Sequence, residues 1–162
     1  MLRVIVNSTP LLTLGKIGKL EILREMYQEI IIPQAVYKEV TEKEDTASKA
    51  ILSACHDWIK VQTIKNEDEY AMYRAKLHAG EVEVMILAQQ VPRADLVIID
   101  DMAARKTAEF LKLPLSGTIG VLIKAKQKGI IPEVMPIIGE LENNGFFISQ
   151  RVKSMIAEKV SE

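Results

Sequence analysis

Two adjacent acids, Asp100 and Asp101, close the apolar run Leu96-Val97-Ile98-Ile99. Such a run reads as a strand buried on both faces, the signature of a parallel sheet covered by helices. In a sheet of that kind the ligand crevice lies beyond the carboxyl ends of the strands, where these acids stand. Taken alone they have a plainer use, Asp100 as a helix N-cap and Asp101 as the ion-pair partner of Arg105 one turn on. Three further side chains complete the candidate set: Asn7 after the first strand, Glu39 at the edge of a helix face, and Glu81 in the first turn of another helix. Gathered carboxylates repel and hold protons at neutral pH unless a cation neutralises them, and an oxygen-only donor set selects Mg²⁺ or Mn²⁺. An ion of that kind activates water and stabilises charge on a phosphate under attack.

The 162 residues fit one domain with room for a real core, and 48% hydrophobic with 27% charged residues is an ordinary globular composition. A net charge of −1 argues against a protein that coats nucleic acid by bulk electrostatics, so any such contact must be local. The single cysteine, Cys55, excludes an internal disulfide, sits among apolar neighbours, and suits a reducing cytoplasm. His56 reads as a helix-end residue, and His78 has no second ligand at zinc spacing. No apolar run approaches the about 18 residues of a membrane span, and the N-terminus does not read as a signal peptide, which gives a cytoplasmic expectation.

The elements that must position these residues alternate. Leu2 to Val6 reads as a strand, followed by a helix capped by Ser8 or Thr9 with Pro10 at its first position and interrupted at Gly15 and Gly18. Glu29 to Pro33 is a second strand, Pro33 to Thr41 a helix, Glu42 to Asp45 a loop and Ala47 to Trp58 a helix. Ile59 to Ile64 is a third strand, and Asn66 to Leu77 is acidic and then helical. On the helix from Gly80 to Ala88, Glu81 and Glu83 lie about 200° apart, so they cannot serve one site equally. Both also suit the helix dipole there. Met102 to Leu113 is helical, Leu113 to Leu115 extended, and Ser116-Gly117-Thr118-Ile119-Gly120 opens a helix to Lys128 whose N-terminus can hold a phosphate. Pro132 to Asn144 is a helix, Phe146 to Ile148 is extended, and Ser149 caps a final amphipathic helix.

Four segments, VIVNSTPLLTLGKIG, IIIPQAVYKEV, GEVEVMILA and LVIIDDMAARKTAEFLKLPLSGTIGVLIKAK, follow in that order and cover most of the chain. On them the sequence resembles the PIN-domain family of metal-dependent ribonucleases, which includes VapC-type toxins, and more closely a PIN-like prokaryotic branch without assigned function. The resemblance implies a three-layer α/β/α fold with a central, mostly parallel sheet of about five strands. It also implies one PIN-like domain over residues 1–162, with its acids in a groove at the carboxyl edge. The family's first aspartate falls on Asn7, its second acid on Glu39, its third on Glu81, and its fourth on Asp100 or Asp101, with Asp100 nearer the strand end. Glu39, Glu81 and Asp100 are thus the expected catalytic acids, and Asn7 and Asp101 join them as expected ligands of Mg²⁺ or Mn²⁺. Ser8, Arg105, Ser116 and Thr118 are the expected contacts to substrate phosphates, while Lys106 reads as a solvated position.

The implied function is hydrolysis of RNA, single-stranded or structured, by the toxin of a toxin–antitoxin pair. Its implied partners are a small antitoxin protein and a second copy of the chain, contacted through the apolar C-terminal part with Met135, Ile137, Ile138, Phe146 and Phe147. Asn7 carries no charge where the family has an acid, which opens an alternative: a catalytically impaired PIN-like protein that binds RNA or a protein partner. A receiver-type phosphoacceptor domain is the third reading, although the acids follow the wrong strands for it and Ser116-Gly117 occupies the place of its lysine.

Overall fold

The computed structural model describes residues 2–65 and 77–162. Five short strands, β1 (Val4–Val6), β2 (Ile30–Pro33), β3 (Ile59–Gln62), β4 (Leu96–Ile98) and β5 (Leu115–Ser116), form one sheet in the order β3-β2-β1-β4-β5. All pairings are parallel. Among the described residues nine helices flank it: α1 (Ser8–Lys16), α2 (Glu21–Tyr27), α3 (Gln34–Thr41), α4 (Thr46–Cys55), α5 (Ala79–Gln89), α6 (Met102–Phe110), α7 (Thr118–Gln127), α8 (Met135–Asn143) and α9 (Gln150–Lys159). This is the three-layer α/β/α arrangement that the resemblance implied.

The short β-branched runs form strands because both faces are covered. Val4, Ile5, Val6, Ile30, Ile32, Val97, Ile98 and Ile99 are fully buried. The chain runs outward from β1 to β3, then returns to the other side of β1 for β4 and β5, so the order reverses between β1 and β4. Ligand crevices open at such a reversal, beyond the carboxyl ends. The register there pairs Val6 with Ile98, and the Asn7 amide donates to the Ile98 carbonyl at 3.0 Å. On the other flank Ile98 pairs with Ser116, which carries Gly117 and Thr118 to the end of β4.

Several expected boundaries move. Pro10 is the third residue of α1, whose first is Ser8. Gly15 lies inside that helix, and a Cβ there would come within 3.1 Å of the Ala47 Cβ, so glycine permits the close approach of α1 and α4. The turn after α1 is where glycine is needed for conformation, with Gly18 at φ +70°. Strand β3 stops at Gln62, α6 at Phe110, and α8 begins at Met135. The segment from Phe146 to Ile148, expected to be extended, pairs with no strand among the described residues. The expected helix in 66–77 falls almost wholly outside the described residues. Among the described residues no helix is long and apolar enough to cross a membrane. Burial pushes the Cys55 thiol up to about 11, which keeps it a protonated packing group.

Candidate functional site

At the reversal between β1 and β4, Asn7 leaves β1 with its side chain almost wholly buried. Its Oδ1 is buried and accepts no hydrogen bond, an uncommon condition for a buried polar atom. Ser8, the first residue of α1, is also buried, and its hydroxyl donates to Glu39 Oε2 at 2.5 Å. Glu39 comes from the last turn of α3 and is otherwise exposed. Beneath it lies Gly80, where a Cβ would stand 3.1 Å from Glu39 Oε2 and 3.2 Å from Val36 Cγ2. Lacking that atom, the first turn of α5 can come close to α3.

Glu81 follows and is 6% exposed. The His78 backbone N–H donates to its Oε1 at 3.0 Å, half of a capping box at the start of α5. Burial raises the Glu81 carboxyl above the usual range, and the neighbouring Asp101 carboxylate, within hydrogen-bonding reach, pushes it further. The His78 N–H opposes that rise without cancelling it. Glu83 turns away, as the angular separation on the helix requires, and accepts from the Ala35 N–H at 3.0 Å, where it caps α3.

The two acids after β4 divide their tasks differently from the plain sequence reading. Asp101, not Asp100, is the N-cap of α6, accepting from the Ala104 N–H at 2.9 Å. Asp100 is held by Thr118 through both oxygens, the backbone N–H at 2.8 Å and the hydroxyl at 2.6 Å. Arg105 does not pair with Asp101; its Nη1 donates to the Ile99 carbonyl at 2.9 Å. A Cβ on Gly117 would stand 2.8 Å from Asp100 Oδ1 and 3.0 Å from Arg105 Nη1, so glycine lets this loop close on both. Ser116 donates to the Gly117 carbonyl at 3.3 Å.

The structure therefore sorts the expected residues into three groups. Glu81 meets Asp101, Glu39 meets Ser8 beside Gly80, and Asp100 meets Thr118 beside Arg105. Among the described residues no three His, Cys, Asp or Glu side chains gather closely enough to hold a metal by themselves. The amide oxygen of Asn7 is the additional acceptor. A family model for the PIN domain matches residues 3–162. The chain belongs to the PIN-domain family. No curated protein matches it. Membership in the PIN-domain family sets aside the receiver reading and places the chain in a family of nuclease-like fold that generally depends on divalent metal.

Two features of this PIN domain had little signal in sequence. The pairing of Glu81 with Asp101 joins residues twenty apart across two helix starts, and only the strand register decides which of the two acids arrives. The His78 contribution is a backbone amide, for which side-chain identity carries no clue.

Proposed function

We propose that this PIN domain, one unit over residues 1–162, hydrolyses phosphodiester bonds of RNA in a reaction dependent on Mg²⁺ or Mn²⁺. The observation that carries this reading is the unpartnered, buried Oδ1 of Asn7 at the same crevice as the carboxyl pair Glu81–Asp101. The donor set fits a hard divalent cation, since it offers oxygen only and its carboxylates crowd one another. Asn7, Glu81 and Asp101 would hold the ion, with Glu39 and Asp100 as the flanking acids. When bound, it supplies a water of lowered pKa and neutralises charge on the scissile phosphate.

The chain's own groups do the remaining work. Ser8 fixes one oxygen of Glu39 and leaves the other to accept a proton. Thr118 fixes Asp100 in one orientation. Arg105 spends one nitrogen on Ile99 and keeps further N–H groups for a phosphate oxygen, with Ser116 beside it. In the cell we assign the protein to the cytoplasm as the toxin of a pair with a small antitoxin, acting as a homodimer. Of the apolar residues proposed for that contact, Ile137 and Ile138 are buried in the core, while Phe147 is 88% exposed and free to serve.

A second reading, an impaired nuclease that binds RNA or protein, is favoured by one observation: Asn7 brings a neutral amide where a further carboxylate would complete a group of three. The deciding experiment is incubation of the purified protein with single-stranded RNA and Mn²⁺, with and without EDTA, beside Glu81→Gln. Cleavage that EDTA and the substitution both abolish supports the nuclease. RNA retention without cleavage in Mn²⁺ supports the impaired reading.

A further inference from the structure

A groove of about 390 Å³ runs between α2 and α8, on residues that take no part in the acid cluster. Its floor is apolar, with Ile22, Ile131 and Ile137 among the lining residues, flanked by Pro132 and Pro136. Its rim is acidic. Glu21, Glu25, Glu133 and Glu140 line it against one cation, Lys19. That lysine already lies 3.9 Å from Glu140, and Glu21 contacts Arg24, whereas Glu25 and Glu133 join no ion pair among the described residues.

The spacing of the acids matters as much as their number. Glu21 and Glu25 stand four residues apart on α2, one above the other on the same face. Glu133 and Glu140 stand seven apart along the opposite wall, the second of them within α8. On the α2 wall the charge thus repeats at the interval of one helical turn, about 5.4 Å, while Glu133 lies in the segment that leads into α8. Basic residues at i, i+4 and i+7 of an incoming helix repeat at the same interval, and its apolar anchors would enter between them.

We propose that this groove seats a basic amphipathic helix of a partner protein. Apolar anchors of that helix occupy the floor over Ile22, Ile131 and Ile137, and its lysines or arginines meet Glu25 and Glu133, the two rim acids without ion pairs. Burying side chains at the centre of the groove supplies the affinity, and the rim charges supply sign selection and a fast approach. A neutral or acidic helix has the same apolar face but leaves the rim carboxylates facing like or no charge.

The test uses a synthetic helical leucine–lysine peptide as probe and a leucine–glutamate peptide as its counterpart, with binding to the full chain followed by fluorescence anisotropy. The leucine–lysine peptide should bind, and the leucine–glutamate peptide should not. The double variant Glu25→Lys with Glu133→Lys should bind the basic probe at least about tenfold more weakly. Circular dichroism should show the variant folded. A control pair of exposed acids away from the groove, Glu44→Lys with Glu109→Lys, should bind like wild type. Equal weakening by the control pair would overturn the proposal, because the attraction would then be general. Wild-type self-association that the groove variant abolishes would also overturn it, by making a second copy the occupant.

Discussion

Glu81 and Glu162 are the same side chain placed in opposite company. Glu162 is 12% exposed at its side chain and is surrounded by donors. It accepts from the Val134 N–H at 2.8 Å, the Met135 N–H at 2.9 Å and Lys126 Nζ at 2.7 Å, which ties the start of α8 to α7 and to the end of the chain after α9. Burial works to raise its carboxyl, but Lys126 and the two backbone amides outweigh that and hold it at about 2. Glu81, by contrast, is a buried residue, has one backbone donor, and faces another acid, so its carboxyl rises. The difference separates a carboxylate whose charge the fold has compensated from one whose charge it has not. The first has its lone pairs filled by protein donors, and the second faces another carboxylate, a repulsion relieved by a proton or, on the function proposed above, by a bound cation.

The sharpest way to break this comparison is to remove the charge at the cation side. Glu81→Gln should lower Mn²⁺-dependent RNA cleavage by about 100-fold or more, within the range seen when acid–base or metal groups are lost. Its thermal stability without metal should be equal to wild type or higher, since the repulsion with Asp101 disappears. Loss of both cleavage and folding would instead class Glu81 with Glu162, as a structural group.

Asn7 sharpens the same contrast by adding charge. Its Oδ1 is buried and unpartnered, so on the proposed site Asn7→Asp adds a carboxylate to the crevice that holds the Glu81–Asp101 pair. In EDTA the variant should melt below wild type, and with Mn²⁺ it should recover, because metal that binds only the folded state stabilises it by mass action. Even at an effective dielectric of about 20 a close charge pair interacts by roughly 4 kcal/mol before desolvation is subtracted. A net gain of only about 1.4 kcal/mol tightens Mn²⁺ tenfold, measurable by calorimetry. Unchanged affinity in Asn7→Asp would place Asn7 outside the cation's reach.

Most of the fold was legible because it follows from periodicity. The runs at Ile30–Ile32 and Leu96–Ile99 fall in strands, and the parallel pairing follows from the helices between them, whereas the strand order with its reversal between β1 and β4 had no signal in the sequence. The strand carrying Asp100 and Asp101 was placed correctly to within two residues. The division of labour at its end was not legible. Whether Asp100 or Asp101 faces Glu81 depends on where β5 delivers Thr118, a matter of tertiary register with no local pattern. Glu162 was equally silent, since an acid after a helix whose other polar residues face solvent carries no pattern until the start of α8 is seen beside it.

Acid titration should separate the two carboxylates with the smallest and most easily read effect. For Glu162 the folded value of about 2 lies below the unfolded 4.5, so its contribution is fully present above pH 4.5 and is lost as pH falls through the folded value. Glu81 has the opposite sign. Its folded value lies above 4.5, so without metal its cost is absent below pH 4.5 and grows as pH rises through the folded value. Melting temperatures of metal-free protein should follow these signs. Glu162→Gln should melt a few degrees below wild type near pH 7, with the gap closing as pH falls below 4.5. Glu81→Gln should melt at or above wild type near pH 7 and converge with it below 4.5. A gap for Glu162→Gln that stays constant from neutral pH down to pH 2 would show that the lost contact is packing and not charge. The donors around Glu162 would then not be what distinguishes it from Glu81.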